Sequence, residues 1–251
     1  MLSIEEIVNQ FEPITLKEMD SVKLMDRTDT KFVFRIEKLP KLLLELEKDY
    51  KILDVEGNRI SKYETLYFDT DDFKFYYEHQ RGRGFRHKVR IRTYLCSNKH
   101  FFEIKLKNNK GRTIKDRIKL QSDEIEIKEE AILFLAQHKQ LENIKLKAVI
   151  WVNYSRITLV HKTKAQRLTI DTNLLFKNES QEKQLFEIAI VELKKEKASG
   201  NELTQLLHSY KIYKSKFSKY CYGIIFLYNQ VKHNNFKIKL QTLNKIIHES
   251  I

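Results

Sequence analysis

Three cations fall on alternate positions of the stretch RHKVRIRTY, residues 86–94: Lys88, Arg90 and Arg92, with Val89 and Ile91 between them. Alternate side chains of a strand share a face, so this segment has one cationic face and one largely apolar face. The pattern recurs along the chain. Lys105 and Lys107 join Glu103 on one face of FFEIKLK, and Lys115, Arg117 and Lys119 share a face of TIKDRIKL. Tyr154, Arg156 and Thr158 do the same, as do Arg167, Thr169 and Asp171, Glu192 and Lys194, and Arg27, Asp29 and Lys31. Arginine holds phosphate oxygens with a fork of donors, and lysine acts as a point charge. The few carboxylates cannot bind phosphate directly. They suit a hard cation, Mg2+ or Mn2+, that bridges phosphate oxygens and offsets their charge.

The elements that must carry these faces are mostly strands. Alternation and turn residues predict strands at 27–35, 60–69, 86–95, 100–108, 112–121, 149–161, 165–173 and 185–195. Helices are expected at the beginning, over 36–50 with Pro40 in the first turn, over 123–141, and from about 201 to 250, where 218–231 and 235–249 are best defined. The fold class is α+β, dominated by one antiparallel sheet. An open sheet with a wet face accounts for any one of these strands. It accounts less well for cations dominating one face on so many, since surfaces usually mix signs. An eight-stranded antiparallel barrel accounts for them better: its basic face turns inward as a lumen, and helices cover its apolar outer face.

Composition narrows the class. The 251 residues hold 47 Lys and Arg against 34 Asp and Glu, a formal charge of +13 that favours anionic partners. No linker or repeat divides the chain, so residues 1–251 read as one domain. Cys96 and Cys221 are far apart, which excludes a disulfide framework or a cysteine zinc site. The acidic start MLSIEEIVNQ is unlike a secretory signal, and the longest apolar run, near YCYGIIFLY, is far short of the roughly 20 residues of a membrane helix. The chain therefore reads as cytoplasmic, without a transmembrane segment, and compatible with a membrane-bound partner.

An ordered set of segments resembles a known family: DRTDTKF, YETLYFDT, KVRIRTY, FFEIKLK, YSRITL, RLTID, VELK and SKFSKY. Over about Met25 to Tyr222 the chain resembles the VTC-type polyphosphate polymerase domain of the triphosphate tunnel superfamily. The resemblance implies an eight-stranded tunnel that binds ATP, triphosphate or inorganic polyphosphate beside a divalent metal. Carried over residue by residue, it implies catalytic phosphate-binding roles for Lys31, Arg90, Arg92, Lys105, Arg156 and Lys219. Arg27, Lys88, Lys115, Arg117, Tyr154, Lys194 and Ser218 are further substrate-binding candidates, and Glu192 is the metal-holding carboxylate. Many superfamily members begin Glu-x-Glu-x-Lys, whereas Arg27, Asp29 and Lys31 stand at that spacing here. An arginine in the first position weakens metal binding and strengthens anion binding, as in the VTC branch rather than the hydrolase or cyclase branches. The resemblance does not reach the regulatory domain or membrane segments of eukaryotic VTC proteins.

The remaining features read as structural. His79, His87 and His161 form no metal spacing, and RGRG at 81–84 lacks the residues of a Walker loop. Asp69 reads as a turn or cap residue, and Tyr210, Tyr213, Tyr220 and Tyr222 as helix packing. Three functional classes follow: transfer of the ATP γ-phosphate to polyphosphate, metal-dependent hydrolysis of tripolyphosphate or nucleoside triphosphates, and polyphosphate binding without catalysis. Nucleic acid is not an expected partner, because Ile, Leu and Val rather than stacking aromatics separate the cations.

Overall fold

The structure, a computed structural model, describes residues 2–21, 27–110, 112–121, 126–196 and 200–248; the side chains of residues 20, 21 and 27 lie outside that description. In chain order the elements are α1 (Ile4–Val8), β1 (Pro13–Ile14), α2 (Leu16–Ser21), β2 (Arg27–Arg35), α3 (Leu39–Glu47), β3 (Tyr50–Leu53), β4 (Ser61–Asp69) and α4 (Lys74–Gln80). Then follow β5 (Arg86–Tyr94), β6 (Lys99–Lys107), β7 (Thr113–Leu120), α5 (Glu129–Ala136), β8 (Lys147–His161), β9 (Gln166–Lys177), β10 (Glu182–Leu185) and β11 (Ile188–Glu196). The last are α6 (Glu202–Ser209), β12 (Lys214–Ser215), α7 (Lys219–Leu227) and α8 (Lys237–Ile247).

Among the described residues the strands form one sheet in the order β12-β2-β11-β9-β8-β4-β5-β6-β7, with β3 and β10 added beside β8 and β9. All pairings are antiparallel except β1 with β3. The α+β class and the dominant antiparallel sheet hold. The closed eight-stranded barrel needs correction: twelve strands take part, and no hydrogen-bonded pair among the described residues joins β7 to β12. Side chains of β5 and β2, Lys88 and Lys31, both reach the segment that opens α7, at Ser218 and Phe217.

The alternation read from the sequence sorts residues between the two faces. Phe32, Phe34, Ile157, Leu159, Leu168, Ile170, Ala189 and Val191 point outward and pack with buried residues of α1, α3 and α6. Leu39, Leu42, Leu43 and Leu46 of α3 are essentially inaccessible, each burial contributing about 1.5–3 kcal/mol. Val89, Ile91, Phe102 and Ile104 meet Phe134 and Leu135 of α5 in a second outer core. A third core lies on the concave side, where Ile150, Val152, Leu174, Phe176 and Ile190 pack against Tyr220, Ile224 and Leu227 of α7. So α7 does not cover the outside, as expected of a C-terminal helix; it fills one end of the concave face. Gly223 permits the close approach, since a Cβ there would lie 2.6 Å from Ile150 Cδ1 and 2.9 Å from Phe176 Cδ1.

Several boundaries differ from expectation. The helix over 36–50 stops at Glu47, because Tyr50–Leu53 pairs with β8. The helix over 123–141 shortens to Glu129–Ala136, with residues 123–125 outside the described set. The helix α4 and the short strands β1, β3, β10 and β12 were not anticipated. Among the described residues no helix is long and apolar enough to cross a membrane.

Candidate functional site

Strand register turns the cationic faces into rows. Across β5, β6 and β7 the first row is Lys88, Lys105, Lys115; the second is Arg90, Glu103, Arg117; the third is Arg92, Phe101, Lys119. On β2, β11 and β9 one row is Lys31, Glu192, Thr169 and the next is Asp29, Lys194, Arg167. The two walls face each other across the concave side, close enough for Lys105 to feel both Lys31 and Glu192. Between them β4 contributes Tyr63, Thr65 and Tyr67, and β8 contributes Tyr154 and Arg156. A bulge between Asn153 and Ser155 where β8 meets β9 lets Asp171 and Leu174 both face inward.

Three carboxylates sit in this basic setting, each between two cations. Glu103, fully buried, accepts from Arg90 Nε at 2.8 Å and pairs with Lys115 Nζ at 2.6 Å. Asp171 receives a two-pronged contact from Arg156, Nε at 2.6 Å and Nη2 at 2.8 Å, and a third from Lys219. Glu192 lies 3.5 Å from Lys31 Nζ and 3.6 Å from Lys194 Nζ. Burial pushes the Glu103 and Glu192 carboxyls up, but the surrounding cations outweigh it and bring both to about 2. Asp171 is held well below the usual range in the same way, by Arg156 and Lys219 against burial.

Other cations have no such partner. Among the described residues no carboxylate lies within ion-pair distance of Lys88, Arg92 or Lys105. Lys88 donates to Ser218 Oγ at 3.0 Å, and burial lowers its pKa. Arg92 is 9 % exposed, donates to Thr65 Oγ1 at 3.5 Å and lies 5.6 Å from the centre of the Tyr63 ring. Lys105 is open to water yet crowded by the walls; desolvation, then Lys88 and Arg90, bring it to about 8. Exposure and electrostatic crowding disagree for Lys105 because its solvent is the water of a narrow concavity.

Aromatic rings line the middle of the site. Tyr63 and Tyr154 stack with centroids 5.1 Å apart, and Arg156 lies 5.2 Å from each ring. Arg90 Nη1 donates to Tyr67 OH at 3.1 Å. Burial would raise the Tyr67 phenol, but Arg90, Lys88 and Arg92 bring it down to about 8. The Tyr154 hydroxyl is buried without a hydrogen-bond partner. Tyr63, Thr65 and Tyr67 escaped the sequence reading; their signal is the alternation within YETLYFD, aligned with the arginines only once the register of β4 against β5 is known.

The start of α7 ties the walls together. Ser218 caps the helix, accepting from Cys221 N at 3.3 Å, while the same oxygen receives Lys88 from β5. Lys31 of β2 donates to Phe217 O at 3.1 Å. The structure thus gathers Lys31, Lys88, Arg90, Arg92, Lys105, Lys115, Tyr154, Arg156, Glu192, Lys194, Ser218 and Lys219. Arg117 stands at one mouth, exposed, 4.6 Å from the Phe101 ring. The Arg27 side chain lies outside the described residues. Asp69 accepts from the backbone N–H groups of Thr70, Phe75 and Tyr76 and from the Tyr220 hydroxyl, which is the capping role expected of it. Tyr213, expected in helix packing, is 63 % exposed outside any helix.

The donor set bears on a metal. Among the described residues no three His, Cys, Asp or Glu side chains converge. Glu192 alone suits a Mg2+ or Mn2+ ion only when water and phosphate oxygens supply most of the ligands, the usual mode for Mg2+ beside phosphates.

The VTC domain family matches residues 26–228, most of the chain, and the chain belongs to that family. No curated protein sequence matches it. Solved structures with similar coordinates include a proposed adenylate cyclase from Bacillus halodurans, 15% identical over 77% of this chain and 96% of that one, TM-score 0.48. A proposed adenylyl cyclase from Hippeastrum, whose structure reveals a dominant triphosphatase activity, is 12% identical over 81% and 97% of the two chains, TM-score 0.47.

Proposed function

We propose that this chain is a polyphosphate polymerase-like phosphotransferase that moves the γ-phosphate of ATP onto inorganic polyphosphate. The observation that carries the reading is the set of inward cations without a carboxylate: Lys88, Arg92 and Lys105, beside Ser218 at the start of α7. In the transfer a terminal oxygen of polyphosphate attacks the γ-phosphorus, the bond from that phosphorus to the β–γ bridging oxygen breaks, and ADP leaves with the electron pair. Such transfer asks a protein for position and charge rather than covalent chemistry. Lys88, Arg92 and Lys105 would hold the transferred group. Arg90, fixed by Glu103 and Tyr67, and Lys115 add charge to the wall, and Lys31 and Lys194 do so from the other side. Arg156 spends Nε and Nη2 on Asp171 and keeps Nη1 for a phosphate oxygen; Lys219 stands beside it. The Tyr154 hydroxyl is a donor awaiting an acceptor. Glu192 would hold Mn2+ or Mg2+, which when bound offsets phosphate charge. Arg27 and Arg117 would guide the anion at the ends.

The reading takes the whole chain as one such domain, cytoplasmic, which two unpaired cysteines support. The test incubates purified protein with ATP and Mn2+ and separates the products. Polyphosphate ladders are expected. Free phosphate without ladders would replace transfer by hydrolysis, and binding without turnover would leave a polyphosphate-binding module.

A further inference from the structure

Two cavities adjoin the site, and they differ in kind. One, of about 500 Å3, lies between α8 and β2 and is lined by Lys31, Lys214, Lys216 and Lys239. Its apolar lining consists largely of core residues: Phe217, Tyr222 and Leu243 are 6 %, 2 % and 3 % exposed. The other, of about 400 Å3, lies between α2, β3 and the turn joining β5 to β6. Three cations of its lining, Arg156, Arg167 and Lys194, come from strands β8, β9 and β11 of the site, and Arg117 stands at its mouth. Its wall is apolar and aromatic, with Leu16, Met19, Leu53 and Val55 on one side and Tyr63, Tyr94 and Phe101 on the other.

The rings of this second cavity are arranged as a surface. Tyr63 and Tyr94 lie 5.0 Å apart, Tyr94 and Phe101 5.7 Å apart and edge-on, and the Arg117 guanidinium sits 4.6 Å from Phe101. Tyr94 and Phe101 are only half-buried, and Leu16 opposite is 43 % exposed. Glu192 links the two linings like a waist: it pairs with Lys31, which lines the lysine-rich cavity, and with Lys194, which lines the aromatic one. A ligand reaching from the aromatic cavity to the waist meets apolar surface first and cations afterwards. Inorganic polyphosphate has nothing to place against apolar rings. A nucleoside triphosphate has a flat base followed by a row of anions.

We propose that the cavity bounded by Leu16, Tyr94 and Phe101 is a nucleobase subsite, which fixes the direction in which a nucleotide enters. The base stacks at the mouth, the triphosphate passes the cations of its lining, and the γ-phosphate reaches the waist at Glu192. The acceptor, a polyanion without a base, enters through the cavity of Lys31, Lys214, Lys216 and Lys239. This rests on the phosphotransferase reading and adds to it a place for the base and an orientation for the nucleotide.

The test compares ATP with tripolyphosphate, which has the anions and no base. Dissociation constants for both, and for long-chain polyphosphate, are measured by calorimetry on wild type, Phe101→Ala, Leu16→Ser and Lys216→Ala. Leu16 is exposed enough that its replacement leaves the fold intact, and tripolyphosphate binding reports on the integrity of Phe101→Ala. Loss of a stacking face should weaken ATP by about tenfold or more, as base–aromatic contacts do elsewhere, and leave tripolyphosphate unchanged. Lys216→Ala should spare ATP and weaken long polyphosphate. Equal weakening of ATP and tripolyphosphate in Phe101→Ala, or no change in either, overturns the subsite. ATP weakened by Lys216→Ala and spared by Phe101→Ala overturns the direction. Wild type that binds ATP no more tightly than tripolyphosphate, with Phe101→Ala changing neither, removes the subsite alone; wild type that does not bind ATP removes the phosphotransferase reading as well.

Discussion

Lys88 and Lys105 stand directly opposite one another on neighbouring strands, and among the described residues no carboxylate lies within ion-pair distance of either. The third member of their row, Lys115, is different, since Glu103 neutralises it at 2.6 Å. Like charges facing each other across a ladder are destabilising by up to about 1 kcal/mol. Removing one should therefore strengthen the empty protein. Lys105→Met is expected to raise the melting temperature without ligand, by about 2–4 °C per kcal/mol relieved. The same variant should lose much of the stabilisation that tripolyphosphate confers. Thermal unfolding with and without tripolyphosphate checks both; a lower melting temperature for the empty variant would show that the pair is not under repulsion.

The neighbouring arginines should separate by stability. Arg90→Ala leaves the buried Glu103 with Lys115 alone, and breaking a buried pair costs about 3 kcal/mol or more. Arg92→Ala removes a cation without a carboxylate and should cost far less. Both should abolish turnover. Urea unfolding of the two variants measures the difference, and equal destabilisation would refute the division of labour.

The pH dependence follows from Lys105. Its folded pKa of about 8 lies below the ordinary value of 10.5, so the folded protein gives up this proton before the unfolded chain does. Lys105 therefore makes the fold more stable as pH rises from about 8 toward 10.5, and contributes no pH dependence below that window. Anion binding has the opposite sign, because it needs the ammonium. Affinity for tripolyphosphate should fall as pH climbs through about 8. Lys105→Arg, which stays charged, should flatten the fall. Tyr67→Phe removes the other group brought to about 8 and isolates its share.

Glu192→Gln keeps the shape of the side chain and removes the charge that a hard cation needs. It also removes the ion pairs to Lys31 and Lys194. Metal-dependent turnover should be lost, while tripolyphosphate binding measured with a chelator present should persist or tighten. Equal turnover of variant and wild type at saturating Mn2+ would exclude Glu192 as a ligand.

Gly223→Ala places a methyl 2.6 Å from Ile150 Cδ1, an overpacking expected to cost about 1–3 kcal/mol. Ile150→Val deletes the atom in the way, so the double variant should recover part of the loss. Additive losses in a double-mutant cycle would show that α7 does not press on β8 here.

The faces of the strands were legible from alternation alone: Lys88, Arg90 and Arg92 point inward, with Val89 and Ile91 in the outer core. Register was not legible, because a period of two says which face a residue takes and nothing about its neighbour across the ladder. Hence the sequence did not show that Glu103, Asp171 and Glu192 are each straddled by two cations. Tyr67 was overlooked for the same reason; only the alignment of β4 on β5 sets it beside Arg90. The helix YCYGIIFL is apolar on every side, the mark of a buried helix, but nothing local says that it enters the concave face. Strands as short as Pro13–Ile14 and Lys214–Ser215 carry too few residues to show any period.

Glu103, Asp171 and Glu192 do inside the protein what dissolved chloride does around an open basic patch. They are tethered counterions, and neither dilution nor added salt can exchange them. An open patch gains affinity for a polyanion by shedding mobile ions, and loses it steeply as salt rises. With three counterions covalently attached, the interior has fewer ions to shed, and affinity for a polyanion there would come from direct contact with Lys88, Arg92 and Lys105. Salt sensitivity thereby becomes an address: a polyanion held among these strands stays on as ionic strength increases, and one resting on the outer lysines is washed away.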